Sequence, residues 1–197
     1  AGIAFRHTNG ASAEKHLVET MGSGGVLFDY DGDGWIDMFL VDGGSIADAG
    51  VDRRARHRLY HNRGHGTFED VTDRSGIQHR EYGMGACAGD YDGDGRPDLY
   101  ITNDGPNALY RNRGDGTFAD VTATARVGDP RWSTGCAFAD LDSDRDLDLW
   151  VERAKEPLAL MSAISQVPSA AIARRIAPIT SAGRVMSCRQ SSVSTRS

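Results

Sequence analysis

The chain alternates between short apolar segments and turns rich in glycine, aspartate and asparagine. Before residue 151 no segment keeps the apolar spacing of an amphipathic helix over several turns. Short apolar or alternating runs bounded by such turns instead predict β-strands. Four strands are predicted in the first repeat of the pattern. They are Gly24–Tyr30, Ile36–Val41, Arg58–Asn62 and Thr67–Thr72.

The same pattern recurs along the chain. Leu59–Thr72 reappears 50 positions later as Leu109–Thr122, with eleven of its fourteen residues unchanged. A nine-residue acidic segment occurs three times, as Asp29–Asp37, Asp90–Asp98 and Asp140–Asp148. A repeating unit of about 50 residues that contains four short strands is typical of a β-propeller blade.

The repeats therefore predict an all-β fold, a partial β-propeller of about two and a half four-stranded blades with a tail that does not repeat. Blades are expected at residues 23–72, 83–122 and 133–151, within a propeller segment that covers residues 1–151. One glycine occupies the same place in each first strand, where backbones crowd near the axis of a propeller. These glycines are Gly24, Gly85 and Gly135.

Residues 152–197 do not continue the repeat and are left unassigned, as a disordered segment or short helices. Residues 1–156 hold 17 basic and 28 acidic residues, a net charge of −11, whereas residues 157–197 hold five arginines and no acidic residue. Such a shift marks a domain boundary, a linker or a tail. Two explanations stay open: a break in the reading frame or gene fragment near residues 151–157, or a genuine interaction tail.

Each acidic segment has the spacing of a cation-binding loop. Its first, third and fifth residues are aspartates that surround one point, a fourth carboxylate follows at the ninth position, and the seventh residue offers a carbonyl oxygen. Without a cation these carboxylates would repel and raise one another's pKa. A flexible, carboxylate-rich set suits Ca²⁺ better than Mg²⁺. The predicted calcium ligands are Asp29, Asp31, Asp33, Trp35, Asp37, Asp90, Asp92, Asp94, Arg96, Asp98, Asp140, Asp142, Asp144, Asp146 and Asp148.

The segments are not EF-hands. An EF-hand requires glutamate at position 12, where this chain has Leu40, Ile101 and Val151, and its loop lies between helices rather than strands. In the third segment Arg145 replaces the glycine of the sixth position, and a left-handed backbone there costs about 1 kcal/mol. The sequence thus predicts two strong calcium sites and a weaker third.

Composition excludes several other classes of protein. The net charge of −6 argues against a nucleic-acid partner, and no apolar run is long enough to span a membrane. Three cysteines are too few and too widely spread for a disulfide-stapled miniprotein. Because Cys87 and Cys136 lie on equivalent strands but one register step apart, we expect them to face opposite sides as free thiols.

Sequence motifs for catalysis are also missing. The chain has neither a glycine-rich phosphate loop nor a grouping of serine, histidine and aspartate that would act on a substrate. His57, His61 and His65 are spaced four apart, but they lie in strand and turn rather than in a helix, so a zinc site is not predicted. We expect the protein not to be an enzyme.

The repeats resemble the FG-GAP, or VCBS-type, repeat of integrin-α-like β-propellers over about residues 2–151. More narrowly, Gly2–Gly25, the Asn-Arg-Gly-x-Gly-Thr-Phe-x-Asp-Val-Thr turns and Gly128–Thr134 resemble the cartilage acidic protein/UnbV-associated group. The resemblance implies calcium loops between the first two strands of each blade. It also implies a secreted, periplasmic or cell-surface location.

These features together predict a calcium-binding extracellular module that serves adhesion, binding or structure and is not catalytic. We expect an unidentified protein or glycan ligand, and we expect the open blade edge to meet the remaining propeller blades or a second copy of the chain. Two alternatives stay open. One is a scaffold fragment of a secreted enzyme that acts on polysaccharides, and the other is a truncated or frameshifted product without function.

Overall fold

A computed structural model describes residues 2–13, 15–44, 56–78 and 81–154, together with the backbone of residues 183–186. These residues form three antiparallel sheets, which we call blades 1, 2 and 3. Blade 1 contains β1 (Gly25–Phe28), β2 (Asp37–Leu40), β3 (Arg58–Asn62) and β4 (Phe68–Asp70). Blade 2 contains β5 (Tyr82–Gly89), β6 (Asp98–Asp104), β7 (Ala108–Asn112) and β8 (Phe118–Asp120). Blade 3 contains β9 (Ser133–Ala139), β10 (Asp148–Arg153) and β11 (Gly183–Met186).

The strand order confirms the partial β-propeller predicted from the repeats. In blades 1 and 2 each strand pairs with the next one along the chain, so both blades are four-stranded meanders. In blade 3, β11 pairs with β10 on the side opposite β9, where the other blades have their third strand. Beyond residue 154 only this strand is described, and the remaining alternatives for the tail lie outside the described residues.

Short helices follow the outer strands, where the sequence predicts continued strand. The strand predicted to reach Thr72 ends at Asp70 and is followed by α1 (Thr72–Ser75). The chain turns there because the Asp70 carboxylate accepts a hydrogen bond from the Thr72 N–H at 3.0 Å. A second helix, α2 (Thr122–Ala125), occupies the same place in blade 2, and residues 17–20 form a 3₁₀-helix. No helix in the described part of the chain is long and apolar enough to cross a bilayer.

The hydrophobic core lies between the facing sides of neighbouring blades. Phe28, Phe39 and Leu59 from blade 1 pack with Leu99 and Tyr110 from blade 2. A second cluster joins blades 2 and 3 in the same way and contains Tyr100, Leu109, Leu149 and Val151. Blade 2 therefore packs against both of its neighbours, whereas Leu27 on β1 of blade 1 is 63% exposed. The acidic loops extend from one end of this core.

The glycines of the first strands lie where the blades come closest. The Gly24 N–H donates a hydrogen bond to the Met84 carbonyl oxygen at 2.7 Å. A β-carbon placed on Gly85 would lie 3.1 Å from Thr102 Oγ1 and 3.2 Å from the Thr134 carbonyl oxygen. This crowding confirms the reason given above for Gly85. It does not hold for Gly135, where the nearest atom to an added β-carbon, Glu152 Oε2, would be 3.9 Å away, and at Gly24 the nearest contact would be an ordinary 3.5 Å.

Cys87 and Cys136 form a disulfide between β5 and β9, with their Cα atoms 5.8 Å apart. The prediction of two free thiols facing opposite sides is therefore wrong. One register step does turn two side chains to opposite faces of a single sheet. These cysteines belong to two sheets that pack face to face, however, so opposite faces of neighbouring blades point into the same space. The register step is what brings the two sulfur atoms together.

Candidate metal centres

The three acidic segments form loops at equivalent places, each between the first two strands of a blade. Loop 1 (residues 29–37) joins β1 to β2, loop 2 (residues 90–98) joins β5 to β6, and loop 3 (residues 140–148) joins β9 to β10. The repeat in the sequence thus becomes a repeat in space. Each loop begins and ends on a strand whose position is fixed by the core.

The first aspartate of each loop folds the loop around its own carboxylate. Asp29 Oδ2 accepts a hydrogen bond from the Gly34 N–H at 2.8 Å, and Asp90 Oδ2 accepts the equivalent bond from the Gly95 N–H at 2.8 Å. These bonds orient the first carboxylate toward the centre of the loop. They also satisfy backbone donors that a tight turn would otherwise leave without partners.

Loop 3 makes the same turn with less suitable residues. Gly34 and Gly95 have φ angles of 88° and 85°, and in loop 3 the equivalent Arg145 has a φ of 77°. Ser143 also has a positive φ, of 65°, where the other loops have glycine. A non-glycine residue in this left-handed region costs roughly 1–2 kcal/mol. The left-handed backbone expected at Arg145 is present, and loop 3 contains a second strained residue.

The fifth and seventh residues interact in the same way in all three loops. The carboxylate at the fifth position accepts a hydrogen bond from the N–H of the seventh, at distances between 2.8 and 3.1 Å. The pairs are Asp33 with Trp35, Asp94 with Arg96, and Asp144 with Asp146. The contribution of the seventh carbonyl oxygen to a cation stays a prediction.

The ninth aspartate is buried at the base of the loop. Asp37 is fully buried, and its two oxygens accept hydrogen bonds from the N–H groups of Tyr30, at 3.0 Å, and Asn62, at 2.7 Å. Burial raises the pKa of Asp37 above the ordinary value, although both hydrogen bonds oppose the shift. A bound cation would favour the ionised form of this carboxylate.

Asp98 is the counterpart of Asp37 in loop 2. It is also fully buried, and it accepts hydrogen bonds from the N–H groups of Tyr91 and Asn112 at 3.1 and 2.7 Å. Burial raises the pKa of Asp98 to about 7, and the nearby charge of Asp92 adds to the shift. Loop 2 therefore holds a carboxyl group that is only partly ionised at neutral pH when no cation is bound.

Four groups of side chains in the described residues bring metal-ligand atoms within 4.8 Å of one another. Three of them are drawn from the predicted ligands, one group from each loop, and the fourth combines two aspartates of loop 1 with a histidine. The groups are Asp29, Asp31 and Asp33; Asp90, Asp92 and Asp94; Asp140, Asp142 and Asp148; and Asp31, Asp37 and His61. The predicted ligands Asp98, Asp144 and Asp146 fall outside these close groups.

Loops 1 and 2 each contact a nitrogen-containing side chain that was not among the predicted ligands. His61, on β3, has its Nδ1 atom 3.2 Å from Asp31 Oδ2 and 3.3 Å from Asp37 Oδ1. The equivalent residue on β7 is Arg111, which lies against loop 2. The signal in the sequence is the strand pairing: the third strand of each blade returns beside the second, at the end where the loop begins.

Arg111 supplies loop 2 with a fixed positive charge. Its Nε atom lies 2.6 Å from Asp92 Oδ2, and its Nη2 atom donates to Asp94 Oδ2 at 3.0 Å. Arg96 also pairs with the Asp94 carboxylate. Partial burial opposes the effect, but the hydrogen bond from Arg111 lowers the pKa of Asp94. The second oxygen of Asp92, Oδ1, is buried and has no hydrogen-bond partner among the described residues.

A hydrogen bond between blades links loops 1 and 2. The buried Asn112 side chain donates to the carbonyl oxygen of Tyr30 in loop 1 at 2.7 Å and to that of Pro97 in loop 2 at 3.1 Å. The Asn112 N–H also donates to Asp98. One side chain thus contacts the backbones of two successive loops.

Four-stranded blades that carry an aspartate-rich loop between their first two strands define a class of β-propeller repeats. The sequence model of the FG-GAP-like repeat family matches residues 29–101 and 90–151, which together exceed half of the chain. The chain belongs to the FG-GAP-like repeat family. Each match begins at the first aspartate of a loop, and repeats of this family are typical of extracellular proteins. A comparison with curated proteins finds no match.

Proposed function

We propose that this chain is a calcium-binding repeat module of an extracellular protein, and that it binds a protein or glycan partner without catalysing a reaction. The observation that carries the proposal is the clustering of carboxylates in three loops in register. Each acidic loop needs positive charge nearby, because its carboxylates would otherwise repel one another. Calcium accepts several oxygen ligands in flexible geometry, which fits these loops.

Calcium has a structural role in this proposal. Each loop connects the two innermost strands of a blade, so a cation that draws its carboxylates together also fixes the spacing of those strands. Extracellular calcium modules bind with dissociation constants of about 10⁻⁴–10⁻³ M, which suits a millimolar calcium environment. Two loops of glycine-rich sequence are the strong sites, and loop 3 is weaker because Ser143 and Arg145 are strained.

The disulfide supports an extracellular or periplasmic location. Disulfides persist in oxidising compartments and are rare in the cytosol. The bridge between Cys87 and Cys136 connects two blades across a sequence separation of 49 residues, so it acts on tertiary structure rather than on a local turn. A secreted, periplasmic or surface-displayed protein is the proposal that fits both the bridge and the repeat family.

Calcium titration by isothermal calorimetry tests the proposal directly. The protein is first treated with a chelator and dialysed, and the number of sites and their affinities are then measured. We expect two sites in the millimolar range or tighter and a third that is weaker. A heat signal indistinguishable from buffer dilution up to 10 mM Ca²⁺ (about ten times the weak end of the extracellular range) would refute calcium binding.

A glycan panel separates a binding module from an enzyme fragment. The absence of turnover together with calcium-dependent retention on one glycan or protein would support the module. Product formation from a polysaccharide would replace this proposal with the enzyme alternative, because a module without catalytic residues cannot release product.

A further inference from the structure

We propose that Asp31, Asp37 and His61 bind a first-row transition-metal ion at loop 1, with Zn²⁺ as the best fit. The proposal rests on the proposed function, because two of the three residues belong to a loop assigned to calcium. It adds a different class of cation and a ligand from outside the loop. His61 comes from β3, which reaches the loop through the pairing of β2 with β3.

The distances between the three ligand atoms match a small tetrahedral ion. Zinc binds histidine nitrogen and carboxylate oxygen at about 2.0–2.1 Å, so two ligands of a tetrahedral site lie about 3.3–3.4 Å apart. His61 Nδ1 is 3.2 Å from Asp31 Oδ2 and 3.3 Å from Asp37 Oδ1. One nitrogen is therefore spaced from two separate carboxylates as two edges of such a site require.

The state of the histidine nitrogen is an independent observation. His61 Nδ1 is buried, yet it forms no hydrogen bond with any described residue. The two nearby oxygens are close enough, but the geometry does not direct Nδ1 at either of them as in a hydrogen bond. The contacts with Asp31 and Asp37 are thus close but not hydrogen-bonded, and a buried polar atom without a hydrogen bond is unfavourable. A metal ion held between the nitrogen and the two carboxylates would supply the missing interaction.

The surrounding contacts hold these ligands in place. Asp37 is fully buried, and each of its oxygens accepts one backbone hydrogen bond, which leaves each oxygen a further lone pair. Ligating carboxylates in metal sites are commonly held by such outer hydrogen bonds. The His61 ring meets the Tyr30 ring edge-on, with centroids 6.2 Å apart, and this contact restricts its rotation.

The donor set distinguishes zinc from calcium. Calcium prefers oxygen ligands throughout, whereas imidazole nitrogen favours zinc and other first-row transition metals. Loop 2 offers an internal contrast, because its equivalent residue is Arg111, which is always protonated and cannot ligate a metal. The two loops share their aspartates but differ in the side chain that the third strand brings to them.

The competing explanation is an ion pair. A protonated His61 would also be attracted to Asp31 and Asp37, and it would leave the site without a preference for transition metals. Zinc and a proton compete for the same nitrogen, so the test is made on the alkaline side of neutrality, at pH 7.5.

Calorimetric titration with ZnCl₂ of the full chain, with and without 5 mM CaCl₂, tests the proposal. We compare the unmodified protein with His61→Gln, and we use His65→Gln as the matched control because His65 lies on the turn of the same blade beside Trp35. His61→Gln should weaken zinc binding by about tenfold or more, and His65→Gln should leave it unchanged. Calcium should weaken zinc binding, since both ions use Asp31 and Asp37.

Two further readouts identify the ligand. Zinc should shift the His61 imidazole signals in NMR spectra and leave those of His65 in place. Arg111→His should create a second zinc site in loop 2. Equal zinc affinity in the unmodified protein and His61→Gln would overturn the proposal. Calcium binding without zinc binding would overturn this inference alone, whereas failure of both ions to bind would also refute the proposed function.

Discussion

Loops 1 and 2 have seven of nine residues in common, yet they present different surroundings to a cation. In loop 1 the third strand brings His61, whose imidazole is a common type of metal ligand. In loop 2 the same place holds Arg111, whose permanent charge already pairs with Asp92 and Asp94. The comparison shows that the loop sequence supplies the carboxylates, whereas a residue on another strand determines which nitrogen-containing group lies beside them.

Removing one carboxylate from each loop should have the largest effect. Saturation to 100 times the dissociation constant stabilises a protein by about 2.7 kcal/mol per site, and about 2–4 °C accompanies each kcal/mol in a chain of this size. Calcium should therefore raise the melting temperature by about 5–11 °C per occupied site. Asp31→Ala combined with Asp92→Ala should abolish most of this rise, as measured by thermal denaturation with calcium and with EDTA.

The single variants sharpen the comparison, because each reports the contribution of one loop. Asp73→Ala is the matched control, since it removes the same charge from an exposed site on α1. An equal calcium-dependent rise in the double variant and the control would show that these loops do not hold the stabilising ion.

The metal-free protein should respond to pH near neutrality through loop 2. The pKa of Asp98 is raised to about 7, above its value in the unfolded chain. Ionising this buried group therefore opposes folding, and its contribution to stability is present at low pH and is lost as the pH rises through about 7. Urea denaturation in EDTA should show the free energy of unfolding falling between pH 5 and pH 7 through this group.

Carbon-detected NMR of the aspartate carboxyl groups checks the assignment. The Asp98 signal should titrate with a midpoint near 7 in EDTA and should stop titrating in that range when calcium is bound. An Asp98 midpoint near 4 in EDTA would contradict the prediction.

Replacing the arginine of loop 2 should have opposite effects without and with calcium. In EDTA, Arg111→Gln leaves Asp92 buried without its charged partner, so the protein should lose about 1–3 kcal/mol of stability. With calcium present, loss of the competing positive charge should raise the calcium affinity of loop 2 about two- to fivefold. Denaturation in EDTA and calorimetric titration measure the two effects.

Arg113→Gln is the control for this change, because Arg113 is exposed on the following turn. If Arg111→Gln and Arg113→Gln had the same calcium affinity, Arg111 would not act on the site.

The smallest expected effect concerns loop 3. Arg145→Gly restores the glycine of loops 1 and 2 at a left-handed position, and it should stabilise the protein by about 1 kcal/mol. It should also strengthen the weakest calcium site. Arg126→Gly is the matched control, since Arg126 also has a positive φ but lies outside the loops. Calcium titration should respond to the first variant and not to the second.

The repeated parts of the molecule could be predicted from the sequence because the two kinds of motif occur in one register. The strands, the acidic loops and the close approach at Gly24 and Gly85 all follow from local patterns of residues. The end of β4 was overestimated because the Asp70 side chain stops the strand through a hydrogen bond to Thr72 that apolar alternation does not reveal.

The parts that were missed depend on contacts between strands or between blades. His61 is separated from Asp37 by 24 positions in the sequence, and it reaches the loop only because β2 pairs with β3. The three histidines were also weighed as a helical zinc motif, and that comparison did not consider a single histidine joining the carboxylates of a loop on the neighbouring strand. The disulfide was missed because the alternation of faces was applied within one sheet rather than across two.

The disulfide makes the two interfaces between neighbouring blades unequal in strength. It joins Cys87 to Cys136, so the stretch of chain it closes contains loop 2 and most of blade 2. Blades 2 and 3 thus remain tethered under mechanical load, whereas the described residues of blade 1 are held to blade 2 by noncovalent contacts. Under tension or heat, blade 1 should peel away first as its own cooperative unit.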